Sequence, residues 1–509
     1  MTTTQCVPRG RRPSVDPQHE DLCIPEWQPL RMRLDHAALR RHVLVLGETG
    51  SGKTASVLMP LLRAVLDTSS KDGKRDRAHS ALVIDPKDGE LTRFLVERLP
   101  PERLRLIAPG RGEWTVPFFL PNPSGELPDP HDLFDALLSA NPSNPTGGTK
   151  DSGFWIASGR RLLEGFISAD HWLARTSGPA QVLATWETLL ENQPTLAPVN
   201  QKQRVVADDG MECLIDGWES RVDGRAVRDL WDRGGYLDLL ALGVARTLSN
   251  GSFLRNWSAL QADQGCPPAL WSATAGLSNI HRETLGGIAL TAQNILQPFT
   301  LSATAGHLWT NPFHRPTDRT MINPTALMNS GAVAIYCPPD PSRRSNVLGQ
   351  AIKRNFFRAA LKTRDRSRPF LYMADEFQRF ITADVASGET TFFDRCRAYG
   401  VCCVVATQSQ SSLRYALESN SAGISADSAL QVMLSNLATQ FYFRTTDPKT
   451  QQRLRSLIPQ HPVEPGLPHV IDLRPVTSLI PGEAYWLAAS GAWGRGRVKL
   501  QSSEAGESA

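Results

Sequence analysis

The chain has 509 residues, too many for one hydrophobic core, so it divides into two or three domains or carries a large insertion; a single small binding module is excluded. It is 41% hydrophobic, 21% charged and 7% aromatic, which is the composition of a soluble globular protein and not of a disordered one. With 55 Lys and Arg against 51 Asp and Glu, the net charge of +4 provides no general basic coat, so any DNA contact has to be local.

Residues 1–40, rich in Pro, Arg and Asp without sustained periodicity, are expected to form an extended lead-in. The run Val43-Leu44-Val45-Leu46 predicts a strand buried on both faces, followed by a Gly-rich turn and a helix from Lys53 to about Leu66. Ala81–Ile84 and Leu104–Ile107 predict two more strands, with a helix from Glu90 to about Arg98 between them. That alternation is the mark of an α/β fold with a mainly parallel sheet, and 41–124 is read as the first part of a nucleotide-binding domain. From 125 to 318 the pattern changes to long helical stretches such as 154–166, which predicts an all-α insertion domain for cargo or DNA recognition. Segments 141–153 and 306–316 are expected to be loops at its borders. Strand character returns at Ala332–Tyr336, Phe370–Ala374, Val401–Ala406 and Gln440–Phe443, making 319–495 the second part of the nucleotide-binding domain; 496–509 is a polar tail expected to be disordered.

Eight cysteines with no C-x-x-C pair read as reduced and mostly buried. The most apolar early stretch, SVLMPLLRAV, is interrupted by Arg63, so neither a signal peptide nor a membrane span is expected and the compartment is read as cytoplasmic.

Gly47-Glu48-Thr49-Gly50-Ser51-Gly52-Lys53-Thr54 matches G-x-x-x-x-G-K-[ST] and lies between a predicted strand and a predicted helix. Glycines let the backbone curl with its N–H groups around a polyphosphate, and the helix amino end adds favourable partial charge. Lys53 is expected to reach the β and γ phosphates of ATP, and Thr54 to ligate Mg²⁺. Asp375-Glu376, at the end of the Phe370–Ala374 strand, suits Mg²⁺ binding by Asp375 and water activation by Glu376, which favours hydrolysis. Gln408, at the tip of the next strand, is placed to sense the γ-phosphate. Arg397 or Arg395 is a candidate for supplying a guanidinium to a neighbouring subunit's phosphate. In Asp85-Pro86-Lys87-Asp88-Gly89-Glu90-Leu91, either Asp85 or Lys87 is near the crevice, or the segment is simply a tight turn before a helix. Nine basic residues between Arg343 and Arg368 against the single acid Asp365 form a candidate surface for a phosphate backbone, with Lys353, Arg354 and Arg358 off the apolar helix face.

Taken in order, GETGSGKT, DPKDGEL, the Phe154-Trp155 pair, RETLGGIALTAQNILQPF at 282–299, ADEFQRF at 374–380, RAYG with ATQSQ, FYFRTTDP at 441–448 and PGEAYW at 481–486 resemble the coupling ATPases of type IV secretion and conjugation. The resemblance spans roughly 41–495. It implies a RecA-like P-loop motor interrupted by an all-α domain, with nucleotide at Lys53 and Thr54, magnesium and water at Asp375 and Glu376, phosphate sensing by Gln408 and a trans-acting arginine at Arg397. It further implies a homo-oligomer, a hexameric ring, that works with type IV secretion components and takes DNA, single-stranded or as a relaxase–DNA complex. The alternatives are delivery of protein effectors and a nucleotide-gated adaptor with little turnover. Members usually read D-P-K-G-E-L where this chain inserts Asp88, and usually carry two amino-terminal membrane helices. The chain is accordingly expected to be a soluble variant, reaching the inner membrane peripherally and only through a partner.

Overall fold

The computed structural model describes residues 39–66, 79–86, 89–108, 114–118, 127, 137, 150–191, 203–206, 212–215, 224–249, 252–314, 321–338, 342–362, 370–384, 388–422, 424–458 and 474–498. Of the expected lead-in only 39–40 are described, and of the expected disordered tail only 496–498, where Gly496 and Arg497 instead belong to a strand because they pair with Ala484 and Glu483; 1–38, 499–509, Lys87 and Asp88 lie outside these residues.

Nine strands build the main sheet: β1 (Val43–Leu46), β2 (Ser80–Ile84), β3 (Leu104–Ile107), β4 (Val333–Tyr336), β5 (Phe370–Ala374), β6 (Val401–Thr407), β7 (Thr439–Tyr442), β8 (Glu483–Leu487) and β9 (Trp493–Arg497). Their order across the sheet is β9-β8-β7-β1-β6-β5-β2-β4-β3. The first seven run parallel, and β8 and β9 join one edge antiparallel. The seven expected strands are all present; β8 and β9 are additions, the second with a sequence, WGRGR, whose glycines and arginines do not announce a strand.

Alternation along each strand splits the core in two. Leu44, Leu46, Leu82, Ile84, Tyr372 and Val405 face one side, and Val43, Val45, Val83, Met373 and Val404 face the other. Both faces are covered, which is why these strands read as continuous apolar runs. On the second face lie α1 (Met59–Leu66), preceded by a π-helical turn over Thr54–Leu58, and α2 (Glu90–Val96). The first face packs against the helical block and against α11, introduced below.

Between β3 and β4 the chain forms α3 (Lys150–Thr176), α4 (Pro179–Glu191), α5 (Gly224–Asp232), α6 (Tyr236–Ser249), α7 (Ser252–Asp263), α8 (Pro268–Ala275) and α9 (Arg282–Leu296), then α10 (Pro324–Met328) just before β4. The block is not wholly helical. An antiparallel pair, Gln203–Val206 with Glu212–Ile215, lies within it, and Leu308–Trp309, inside an expected loop, pairs in parallel with Val116–Pro117. A strand of two or four residues is too short to show periodicity, so neither was legible. Of the other expected border loop, 150–153 belong to α3, which begins at Lys150, and 141–149 lie outside the described residues. Within the block Asp170 is fully buried and accepts hydrogen bonds from Trp186 Nε1 (2.9 Å) and Tyr236 OH (2.7 Å). Burial outweighs those bonds and pushes its carboxyl up to about 7.

The remaining helices are α11 (Arg343–Lys362) before β5, α12 (Glu389–Arg395) before β6, α13 (Gln410–Asn420) and α14 (Ala426–Asn436) before β7, and α15 (Pro448–Leu457) and α16 (Arg474–Ser478) before β8. Among the described residues no helix is long and apolar enough to cross a membrane.

Candidate active site

Parallel strands place their carboxyl ends together, so the loops after β1, β5 and β6 meet at one edge of the sheet. Because β6 lies between β1 and β5, the residues following it separate the Gly-rich loop from the acidic pair. The Gly-rich loop is tied to the strands on both sides: Gly47 N donates to Thr407 O (3.2 Å) and Glu48 N to Arg444 O (2.9 Å). Glu48 Oε1 also accepts from Thr446 Oγ1 (2.6 Å), so the FYFRTTDP segment braces the loop. Gly50 and Gly52 have φ of 76° and 95°, in the left-handed region that side chains avoid. At Gly52 space forbids a side chain as well, since an added Cβ would lie 2.6 Å from Gly482 N. Gly482, from PGEAYW, donates its N–H to Ser51 O at 2.9 Å and forms the floor of the loop.

Lys53 is buried and its Nζ donates to Gly47 O (2.6 Å) and Glu48 O (3.0 Å), so the ammonium is held inside the curl of the loop. Thr54 Oγ1 donates to Asp375 Oδ2 at 3.1 Å, joining residues 321 positions apart. Asp375 is 3% exposed. Burial raises its carboxyl, Glu376 alongside adds to this, and the Glu376 N–H bond, Lys53 and Thr54 oppose it. Glu376 itself is buried at φ 42°, a backbone conformation that costs a non-glycine residue and recurs at functional sites. Its Oε2 accepts from Gln408 Nε2 (2.9 Å) and Gln378 Nε2 (2.5 Å), and Gln378 Oε1 in turn accepts from Thr407 Oγ1 (2.7 Å).

The donor set fits a magnesium–polyphosphate ligand. A hydroxyl and a carboxylate oxygen side by side are the hard ligands Mg²⁺ takes, and a second cation beside Lys53 would offset the cost of two buried carboxylates. The Ser51 hydroxyl is buried in the loop without a hydrogen-bond partner, as expected of a cradle for an anion.

The structure therefore brings together the Gly-rich loop, Lys53, Thr54, Asp375, Glu376 and Gln408. It adds Gln378, Glu48's brace and Gly482, which sequence reasoning missed; Gln378 and Gly482 fall inside quoted motifs, but nothing in their spacing marks them. Arg395 and Arg397 are exposed on α12 and on a turn over Cys396–Tyr399, at the amino end of β6. That end is opposite to the site in the same chain. Asp85 is buried, accepts from Thr92 N (2.7 Å) and Thr92 Oγ1 (2.8 Å) in the first turn of α2, and lies near enough to Asp375 for the two carboxylates to repel. Burial pushes its carboxyl up to about 6.

The basic segment is corrected more sharply. Lys353 is completely buried and ion-paired with Glu389, which is equally buried, and Arg354 is 2% exposed. Only Arg358 of the three is even half-exposed, and 363–369 lie outside the described residues. The helical pattern predicts one apolar stripe, whereas α11 packs on several sides, against the sheet, α10 and the segment after β5, so Lys353 and Arg354 are drawn inside and Lys353 is paired with Glu389.

No family model matches the chain, and no curated protein matches it. Solved structures do. The chain is similar to the plasmid coupling protein TrwB in complex with the non-hydrolysable GTP analogue GDPNP, at 16% identity, a TM-score of 0.54, and coverage of 91% of this chain and 87% of that one. It is similar to TrwB in complex with ADP and Mg²⁺ at 15% identity, TM-score 0.52 and the same coverage. A third, the unbound bacterial conjugative coupling protein TrwBdeltaN70, is 16% identical with a TM-score of 0.52, covering 91% and 86%. The resemblance read from the motifs is borne out at the level of the fold, and the chain has the RecA-like P-loop architecture of the conjugative coupling protein TrwB.

Proposed function

We propose that the chain is an ATP-hydrolysing motor of the coupling-protein type, which recruits DNA, single-stranded or as a relaxase–DNA complex, and pumps it toward a type IV secretion or conjugation machine. The observation that carries this reading is the convergence of Lys53, Thr54, Asp375, Glu376 and Gln408 at one sheet edge from three separate segments of the chain. The loop N–H groups and Lys53 bind the phosphates of ATP, and Thr54 and Asp375 hold Mg²⁺, which when bound neutralises phosphate charge. Glu376 accepts the proton of the attacking water. Gln408 and Gln378 both occupy Glu376 Oε2, so the carboxylate is held back until the Gln408 amide turns to the γ-phosphate. Loss of that bond is what frees Glu376 for water.

Arg397 completes a neighbouring chain's site, which calls for a closed ring, hexameric by likeness of family. The motor acts in the cytoplasm and reaches the inner membrane only through secretion partners. The test is ATP hydrolysis by the purified full chain with and without single- and double-stranded DNA, with Glu376→Gln as the blank. DNA-stimulated turnover supports the proposal. Turnover indifferent to DNA but raised by protein cargo moves the cargo to effectors, and nucleotide binding without turnover leaves an adaptor.

A further inference from the structure

We propose that Cys396 and Cys403 form an oxidisable thiol pair, a modification site where an intramolecular disulfide clamps the arginine-bearing turn onto β6. The two sulfurs lie 3.8 Å apart, in van der Waals contact, and both side chains are fully buried beside His42. A disulfide bond needs the sulfurs to close to about 2.05 Å. Cys402, the adjacent residue, cannot compete, because β6 alternation sends it to the opposite face of the sheet.

His42 sets the chemistry. It precedes β1 with φ 61°, and its Nδ1 accepts the Cys403 backbone N–H at 3.2 Å. That bond fixes the proton on Nε2, which faces Phe393 O at 3.1 Å and Cys396 Sγ at 3.5 Å. Cys396 therefore sits beside an N–H donor and a neighbouring S–H. Burial opposes its ionisation, but the bonds from Cys403 and His42 outweigh it and bring the thiol down to about 6, whereas burial pushes Cys403 well above the usual range.

The same sulfur and nitrogen separations would suit two edges of a tetrahedral zinc site. The tautomer argues against it. A metal-bound imidazole donates its other N–H to an acceptor, and here the other nitrogen faces a donor.

The oxidant is a small hydroperoxide, admitted by local opening of the single turn over Cys396, whose neighbours Arg395, Arg397 and Ala398 are exposed. Cys396 thiolate attacks one peroxide oxygen, the S–O bond forms, O–O breaks, and hydroxide leaves as water after taking a proton. Cys403 sulfur then attacks the sulfenic sulfur, S–S forms and S–O breaks, and the departing hydroxide takes the Cys403 proton. Two thiols lose two electrons, and hydrogen peroxide becomes two waters.

Hydrogen peroxide applied to the folded full chain, then alkylation under denaturing, non-reducing conditions and tryptic mass mapping, tests this. The expected product joins the Cys396–Arg397 dipeptide to the peptide beginning at Ala398. It survives in Cys402→Ser, disappears with dithiothreitol, and in Cys403→Ser gives way to a Cys396 sulfenic acid trapped by dimedone. Both thiols fully alkylated after peroxide, a link that Cys402→Ser abolishes, or one zinc per chain that protects the pair would overturn the proposal. Because the readout is mass, it stands or falls separately from the ATPase reading, on which rests only the consequence that oxidation restrains Arg397.

Discussion

Lys353→Met probes the charge that the structure moves from the surface to the interior. Lys353 Nζ is wholly enclosed and donates to Phe380 O, Thr382 Oγ1 (3.1 Å) and Glu389. Glu389 Oε2 meanwhile accepts from Thr382 N (2.8 Å) and Thr382 Oγ1 (3.0 Å). Methionine fills much of the same volume, so little cavity cost is expected, but it leaves a buried carboxylate with two neutral donors and no cation. Breaking such a pair costs about 3–5 kcal/mol, against roughly 5–15 kcal/mol for the stability of a typical domain. The matching change Lys353→Met with Glu389→Leu removes both charges and should recover most of the loss, giving a large coupling in the double-mutant cycle. Urea-unfolding midpoints followed by fluorescence measure both, read for the transition that includes the main sheet. A single variant within about 0.5 kcal/mol of wild type, with a shallower salt dependence of DNA affinity, would refute the buried pair and restore the solvated basic face.

Lys53→Ala should lose nucleotide binding while Glu376→Gln keeps it and fails to hydrolyse, and equal affinity of Lys53→Ala and wild type in a fluorescent-nucleotide titration would sink the loop assignment. Gly52→Ala places a Cβ 2.6 Å from Gly482 N at φ 95° and should weaken nucleotide binding at least tenfold with the fold intact by circular dichroism. Asp170, raised to about 7 in the folded chain, adds stability that is fully present below the unfolded value and lost as pH rises through about 7. Stability should therefore rise by about 1.4 kcal/mol as pH falls from 8 to 6 in wild type, read as a higher melting temperature, and Asp170→Asn should flatten that rise. Arg397→Ala and Glu376→Gln should each be inactive, with the arginine worth about 10³–10⁵ in rate, yet mixing them should restore partial hydrolysis. Equal inactivity of co-assembled mixtures would make Arg395 or a structural role the better reading.

What the sequence made legible followed from local rules. A four-residue apolar run needs burial on both faces, and GETGSGKT after it needs a phosphate, so β1, the loop and α1 were readable together. Asp375, Glu376 and Gln408 were found because each ends a strand, and strand ends are countable. Gln378 and Gly482 were hidden because their roles depend on where a turn after β5 and a loop before β8 arrive in space. The Lys353–Glu389 pair was misread for a related reason: an amphipathic reading assumes one buried face, and α11 is enclosed on several. Cys396 and Cys403, seven apart, fit no motif, and only the entry of His42 from the start of β1 makes them a cluster.

The geometry of β6 constrains how any complete active site is assembled. Its seven residues rise about 3.3 Å each, so its two ends are roughly 20 Å apart. Gln408 follows one end, and the turn bearing Arg397 precedes the other, although only eleven positions separate them in sequence. Every residue of β6 is buried between two packed faces, so the strand has no room to fold back and bring both ends to one phosphate. An arginine at Arg397 can therefore meet a γ-phosphate only when a second copy presents its carboxyl sheet edge to this chain's amino edge. Repeated head to tail with a constant rotation, such a contact closes into a ring or extends into a filament. The mixing experiment decides whether Arg397 acts across such a contact, because complementation requires the arginine and Glu376 of one working site to come from different chains.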